Sequence, residues 1–170
     1  SCCRLIGTDG KAKMSKSLGN CIYLSDTSKE VKKKVNSMFT DPEHLQITDP
    51  GHVEGNVVFS YLDAFCQPEH FAKYLPEYEN LDAMKDHYRR GGLGDGTCKK
   101  FLFNIMEEFL QPMREKRAQY EQNIPQVYEI LRKGSEVARA EAAKTLADVR
   151  KAMKIDYFDD AELIAEHTLK

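Results

Sequence analysis

Two lysines lie three residues apart near the start of this 170-residue sequence, in the pentapeptide Lys13-Met14-Ser15-Lys16-Ser17. The surrounding residues 7–20 are rich in glycine, serine and lysine and lack hydrophobic periodicity, which predicts a mobile surface loop. Closure of such a loop would bring both ammonium groups onto a polyphosphate, because lysine is a flexible point charge that can follow phosphate oxygens. The alternative is a solvated basic loop that has no partner.

The elements around the loop must hold it in place. Short apolar runs at 4–6 and 21–24 predict one strand on each side of the loop. After Leu24 the pattern becomes helical. Thr27 and Glu30 fit a capping box, and the Asp41-Pro42 step is expected to end the helix that follows. The apolar face of that helix is predicted to comprise Val31, Val35, Met38 and Phe39.

Further helices are predicted beyond an irregular connector at residues 40–56. They run from Val57 to Cys66, from Asn80 to the Gly91-Gly92 pair, from about Thr97 through a kink at Pro112, from Pro125 to a stop at Gly134, and from Ser135 to about Lys154. Residues 156–170 are acidic and only weakly patterned. The sequence therefore predicts a mainly α protein, in which a mobile loop and one or two terminal strands precede a bundle of five or six helices.

Composition excludes several classes of protein. The chain is 41% hydrophobic and 31% charged, which suits one folded core, and it has no apolar run long enough to span a membrane. No leader for secretion is evident, and five scattered cysteines favour reduced thiols in the cytoplasm. Basic residues outnumber acidic ones eight to three over residues 1–40 and ten to seven over residues 85–134. These two zones could contact polyanions, although helices with charged outer faces would look the same.

Residues 7–20 resemble the second signature loop of class I aminoacyl-tRNA synthetases. Three later segments resemble the bacterial tryptophanyl-tRNA synthetases within that class: Thr40-Asp41-Pro42, residues 49–56 and residues 87–95. The predicted helix from Phe101 to Arg117 is also similar, so that the resemblance covers about residues 4–154. It implies activation of tryptophan with ATP and magnesium, followed by transfer to tRNA, in a cytoplasmic enzyme that is a homodimer at full length.

The resemblance also assigns roles to residues. Lys13 and Lys16 would be catalytic, because the family's loop closes over the ATP phosphates, and Met14, Ser15 and Ser17 would complete the ATP-binding segment. Lys11 lies outside the signature and is expected to be solvated. The helices after the loop would bind tRNA, and the candidate contacts are Arg89, Arg90, Lys99, Lys100, Arg114 and Arg117.

The same resemblance divides the chain into the end of a nucleotide-binding α/β domain (1–25), a helical anticodon-binding domain (26–154) and an acidic tail (155–170). The family's His-containing signature is not found in this sequence, so the chain is expected to be the C-terminal part of the enzyme and inactive alone. No protein-bound metal is expected, because the cysteines lack zinc spacing. Two alternatives stay open: a non-catalytic RNA-binding module derived from a synthetase, and the related tyrosyl-tRNA synthetase.

Overall fold

The computed structural model describes residues 5–158 and 160–168, and within these ranges it is mainly α, as predicted. A short 3-10 helix spans Lys16–Leu18. The seven α-helices are α1 (Ser28–Asn36), α2 (Val57–Phe65), α3 (Pro68–Tyr74), α4 (Leu81–Arg90), α5 (Asp95–Glu121), α6 (Ile124–Met153) and α7 (Ala161–Thr168).

The predicted start of α1 is confirmed, but its predicted end is wrong. The Thr27 side chain accepts a hydrogen bond from the Glu30 backbone N–H, and the Glu30 carboxylate accepts one from the Thr27 N–H at 2.7 Å, which completes the capping box. The helix ends at Asn36, well before Asp41-Pro42. Phe39 therefore lies outside the helix and is 43% exposed, whereas Met38 is buried as predicted.

The two predicted strands do not form among the described residues. Ile6 makes a single antiparallel bridge with Lys13, and residues 21–24 carry no strand pairing. Arg4, the first residue of the earlier run, lies outside the described residues. The physical reason is that two isolated strands lack the further strands that a stable sheet needs.

Helices α3 and α6 also differ from the sequence prediction. Helix α3 was not predicted, although Pro68 in its first turn and the hydrogen bond from the Gln67 N–H to His70 Nδ1 (2.8 Å) are ordinary start signals. The predicted stop at Gly134 is wrong, because α6 continues through it. Arg132 forms ion pairs with Glu129 (2.8 Å) and Glu136 (2.5 Å), which tie together the turns on both sides of the glycine.

The described residues fall into two compact units, one ending at Arg117 and the other beginning at Ala118. The first unit has a continuous apolar core, which includes Val57 and Leu62 of α2 and Leu102 of α5, all fully buried. Aromatic rings join its helices: Phe59 of α2 lies 4.9 Å from Tyr88 of α4, measured between ring centroids. In the second unit, α6 buries none of its residues. No helix in the described part of the chain is long and apolar enough to cross a membrane. The domain boundaries given by the resemblance stay predictions.

Candidate functional site

The lysine loop at residues 7–20 is anchored at its base by backbone hydrogen bonds. The Gly7 N–H donates to the Ala12 carbonyl at 2.7 Å, and the Thr8 N–H donates to the Asn20 carbonyl at 3.0 Å. The Tyr61 hydroxyl of α2 donates to the Ile6 carbonyl at 3.0 Å. The two ends of the loop are therefore held together and fixed to a core helix.

Phe39 gives the loop a second attachment. Its backbone N–H donates to the Thr8 carbonyl at 3.0 Å, and its carbonyl accepts from the N–H of Val57 at the start of α2. Its ring covers Gly10, where an added Cβ would lie 2.9 Å from Phe39 Cδ1. Gly10 also has a φ of 69°, so a side chain there would be both strained and crowded. Phe39, which the sequence analysis assigned to the apolar face of α1, therefore packs against the lysine loop instead.

Both signature lysines present their side chains to solvent. Lys13 and Lys16 are exposed, and neither forms an ion pair with a carboxylate among the described residues. Lys16 begins the 3-10 turn, which Gly19 closes in the left-handed conformation with φ 66°. The Ser15 and Ser17 hydroxyls lie 2.9 Å apart beside it. The loop thus carries two uncompensated positive charges and two hydroxyls, a combination suited to binding phosphate oxygens.

Asp26 connects the exit of the loop to the helices. Its side chain is buried, accepts the Tyr23 N–H at 2.8 Å and forms an ion pair with Lys34 at 2.5 Å. Arg114 of α5 donates to the Asp26 carbonyl at 3.3 Å and to the Glu107 carboxylate at 2.7 Å. The Arg114 guanidinium, predicted as a tRNA contact, is thus engaged by groups of the protein itself.

The other predicted tRNA contacts have different surroundings. Arg89 pairs with Glu54 at 2.9 Å and with Asp86 at 3.1 Å. Lys99 donates to the Asn36 carbonyl at 3.0 Å, which satisfies the C-terminal end of α1. Arg90 and Lys100 are exposed and form no ion pair with a described residue, and Arg117 is exposed as well. The structure does not gather the six cations around one pocket.

Two of the sequence segments that carry the resemblance, residues 49–56 and 87–95, meet around Tyr88. The Tyr88 hydroxyl donates to Asp95 Oδ1 at 2.7 Å and accepts from Asn56 Nδ2 at 3.3 Å. The His44 ring lies 4.7 Å from the Tyr88 ring, and a Cβ on Gly51 would lie 2.3 Å from Tyr88 Cε1. Burial, together with the hydrogen bond to Asp95, raises the pKa of Tyr88 well above its usual value. This cluster packs the first unit, and sequence reasoning did not foresee it because its members are distant along the chain.

Asp41, Glu43 and His52 form the one group in the described residues whose ligand atoms lie close enough to hold a metal. The Asp41 carboxylate accepts both the His52 backbone N–H at 2.7 Å and His52 Nδ1 at 2.8 Å. The hydrogen bond and charge of Asp41 raise the pKa of His52. These hydrogen bonds stabilise the connector between α1 and α2, and they explain why the side chains lie close together.

Three cysteines lie among the described residues, and two of them have a raised thiol pKa. Cys21, Cys66 and Cys98 are free thiols. Burial raises the pKa of Cys98 to about 12 and that of Cys66 to about 11, so both stay protonated near neutral pH. Cys2 and Cys3 lie outside the described residues.

The loop and the helices behind it place this chain in a known family. Residues 4–111 match the model of the class I tRNA synthetases specific for W and Y, and the chain belongs to that family.

Similar proteins include two named Tryptophan--tRNA ligase. The one from Clostridium longisporum is 54% identical over 157 residues, which are 92% of this chain and 43% of the relative. The one from Streptococcus pyogenes serotype M3 (strain ATCC BAA-595 / MGAS315) is 53% identical over 155 residues, 91% of this chain and 44% of the relative. The crystal structure of tryptophanyl-tRNA synthetase from Campylobacter jejuni complexed with ADP and tryptophan aligns with a TM-score of 0.66 and 26% identity, over 89% of this chain and 43% of that one. This chain spans less than half the length of each.

Proposed function

We propose that this chain is part of a tryptophan–tRNA ligase that activates tryptophan with MgATP and transfers it to tRNA. The family membership and relatives that are more than half identical support the reaction and the amino acid. The tyrosyl alternative has less support, because the similar proteins above carry the tryptophan name. The cytoplasmic location and the homodimer expected for the full-length enzyme belong to the same proposal.

The observation that carries the proposal is the pair of exposed, uncompensated ammonium groups of Lys13 and Lys16 on a loop anchored at its base. In the activation step the tryptophan carboxylate attacks the α-phosphorus of ATP, and negative charge grows on the departing pyrophosphate. Cations that reach this charge stabilise the transition state more than the ground state. Lys13 and Lys16 would be the catalytic residues, with Met14, Ser15 and Ser17 completing the ATP-binding segment.

The helices would supply the tRNA contacts. Among the six candidates, Arg90 and Lys100 are best placed, because both are exposed and lack an ion-pair partner within the described chain. Arg89, Lys99 and Arg114 would have to exchange internal partners for phosphates, and Arg117 stays a candidate.

Binding of tRNA by the 170-residue chain tests this role. We expect the affinity to fall steeply with salt, because each phosphate contact releases counterions. Lys100→Ala should weaken binding and reduce the slope of log K against log salt by about 1. Lys73→Ala is the matched control, since Lys73 is an exposed lysine already paired with Glu108. Binding that is absent or independent of salt would contradict an RNA-binding role for the helices.

A chimera tests the reaction. Residues 5–154 would replace the matching segment of the Clostridium longisporum ligase, and ATP–pyrophosphate exchange would be measured with tryptophan and with tyrosine. Exchange that depends on tryptophan supports the proposal, and exchange that depends on tyrosine would instead assign the chain to the tyrosyl enzyme. If the chimera folds and binds tRNA but catalyses neither exchange, the non-catalytic RNA-binding module is the better account. The 170-residue chain alone is expected to give no exchange.

A further inference from the structure

The side chain of Asn20 lies buried inside the lysine loop, with only 3% of the residue exposed. Its Oδ1 accepts the Ser15 backbone N–H at 2.8 Å. Its Nδ2 donates to Asp9 Oδ1 at 3.1 Å and to the Lys13 carbonyl at 3.4 Å. The orientation of the amide is determined, because a flip would set donor against donor and acceptor against acceptor. One side chain therefore fixes the backbone on both sides of Met14, between the two catalytic candidates.

The loop is shaped around this amide. A Cβ on Gly7 would lie 2.1 Å from Asn20 Nδ2, so that residue 7 has to be glycine while the amide is in place. The Asn20 carbonyl accepts the Thr8 N–H, which joins the two ends of the loop. The hydrogen bond from Asn20 also lowers the pKa of Asp9, which keeps this carboxylate ionised as an acceptor. The lowered pKa of Asp9 thus favours the ionised carboxylate, which accepts the hydrogen bond from Asn20 Nδ2.

The Asn20 amide bonds to groups of the loop itself, apart from a long contact at 3.8 Å from Sγ of the neighbouring Cys21 to Oδ1. Asp9, Lys13 and Ser15 all lie within residues 7–20, whereas the attachments to the helices run through Ile6, Thr8 and Phe39. The amide consequently sets the internal shape of the loop and does not hold the loop against the helices. The backbone between the two lysines is therefore shaped by contacts that do not involve the helices.

We propose that Asn20 is a positioning residue, which holds residues 13–15 in one backbone conformation so that Lys13 and Lys16 meet the triphosphate as a pre-arranged pair. A glycine-rich loop without this contact would lose more conformational freedom on binding, at a cost in affinity and in rate. The inference rests on the proposed function, since it assigns Asn20 to the ATP-binding segment described there.

The test uses the chimera described above with Asn20→Ala. We expect the KM for ATP to rise and kcat to fall, so that kcat/KM for ATP drops on the order of 10-fold, while the KM for tryptophan is unchanged. Hydrogen–deuterium exchange of the peptide that contains Ser15 should become faster. Asn36→Ala is the matched control, because the Asn36 side chain is exposed and only its backbone carbonyl is used, by Lys99.

A rescue experiment separates positioning from general stability. Asn20→Asp keeps the acceptor for the Ser15 N–H but sets a second carboxylate against Asp9, so the loss in kcat/KM should persist. Asp9→Asn combined with Asn20→Asp restores an amide–carboxylate pair with its members exchanged, but leaves the Lys13 carbonyl without its donor, so part of the ATP-dependent loss should be recovered. This pair of variants also decides the matter if Asn20→Ala fails to fold.

Several results would overturn the inference. One is an unchanged kcat/KM for ATP in Asn20→Ala together with faster hydrogen–deuterium exchange of the peptide that contains Ser15. Another is an equal loss toward ATP and tryptophan, which would indicate a merely structural residue, and a third is a double variant no better than Asn20→Asp. A chimera that is inactive with Asn20 in place would instead overturn the proposed function, and this inference with it.

Discussion

Replacement of Lys16 by alanine is the most direct test of the catalytic proposal. Lys16 is exposed and forms no ion pair within the described chain, so its removal should change the free energy of unfolding by less than about 0.5 kcal/mol. A charged donor aimed at the transition state contributes about 3 kcal/mol, which corresponds to a rate loss of roughly 150-fold. The structure therefore predicts a large kinetic effect with almost no effect on stability.

The assay is tryptophan-dependent ATP–pyrophosphate exchange in the chimera, together with tryptophan binding at equilibrium. Lys16→Ala should slow adenylate formation roughly 150-fold and leave tryptophan affinity nearly unchanged. Lys11→Ala is the matched control, because Lys11 is an exposed lysine of the same loop outside the pentapeptide, and its backbone contact with Asp9 survives the change. Equal losses in rate and tryptophan affinity, or equal effects of the two substitutions, would refute the transition-state role.

Three further predictions concern α4, α6 and the connector between α1 and α2. Tyr88→Phe leaves the Asp95 carboxylate without its buried donor and should lower the free energy of unfolding in urea by about 1–3 kcal/mol; a loss near zero would contradict the cluster. The pKa of His52 is raised by Asp41, so the stabilisation from this pair is fully present below the ordinary histidine value of 6.5 and is lost as the pH rises through the higher folded value. His52→Gln should abolish this part of the pH dependence of Tm, and an unchanged profile would show that the pair contributes nothing. Gly134→Ala should raise the stability of α6 by about 1 kcal/mol, seen as helical circular dichroism that persists to higher temperature; a loss of helix would mean that the site requires glycine.

Local signals in the sequence were sufficient for much of the fold. The capping box of Thr27 and Glu30, the cap at Asn80 and the proline in the first turn of α6 each act within one helical turn. The exposed lysines of the candidate site were found in the same way, because their residue types and spacing are local properties. In such cases the nearest neighbours along the chain decide the conformation.

Other features depend on partners that are distant along the chain. Gly134 is an exception, because it resembles a helix stop but local ion pairs of Arg132 with residues three and four positions away carry α6 through it. Phe39 fits the periodicity of α1, yet its N–H donates to the Thr8 carbonyl and its ring packs on Gly10, so that it belongs to the loop. The paired strands expected around the loop did not form, because no further strand lies among residues 5–158 and 160–168 to complete a sheet.

The amino-acid order alone determined which cationic side chains the loop carries, since that depends on side-chain type and spacing. Only the tertiary structure decided which cations are left available: Arg114 became an internal donor to Asp26 and Glu107, whereas Lys13 and Lys16 stayed in solvent. It also decided that a single amide, Asn20, sets the shape of the loop. The physical reason is that hydrogen bonds and ion pairs require atoms within about 3 Å of each other. Residues that are distant along the chain come within this distance only when the chain folds.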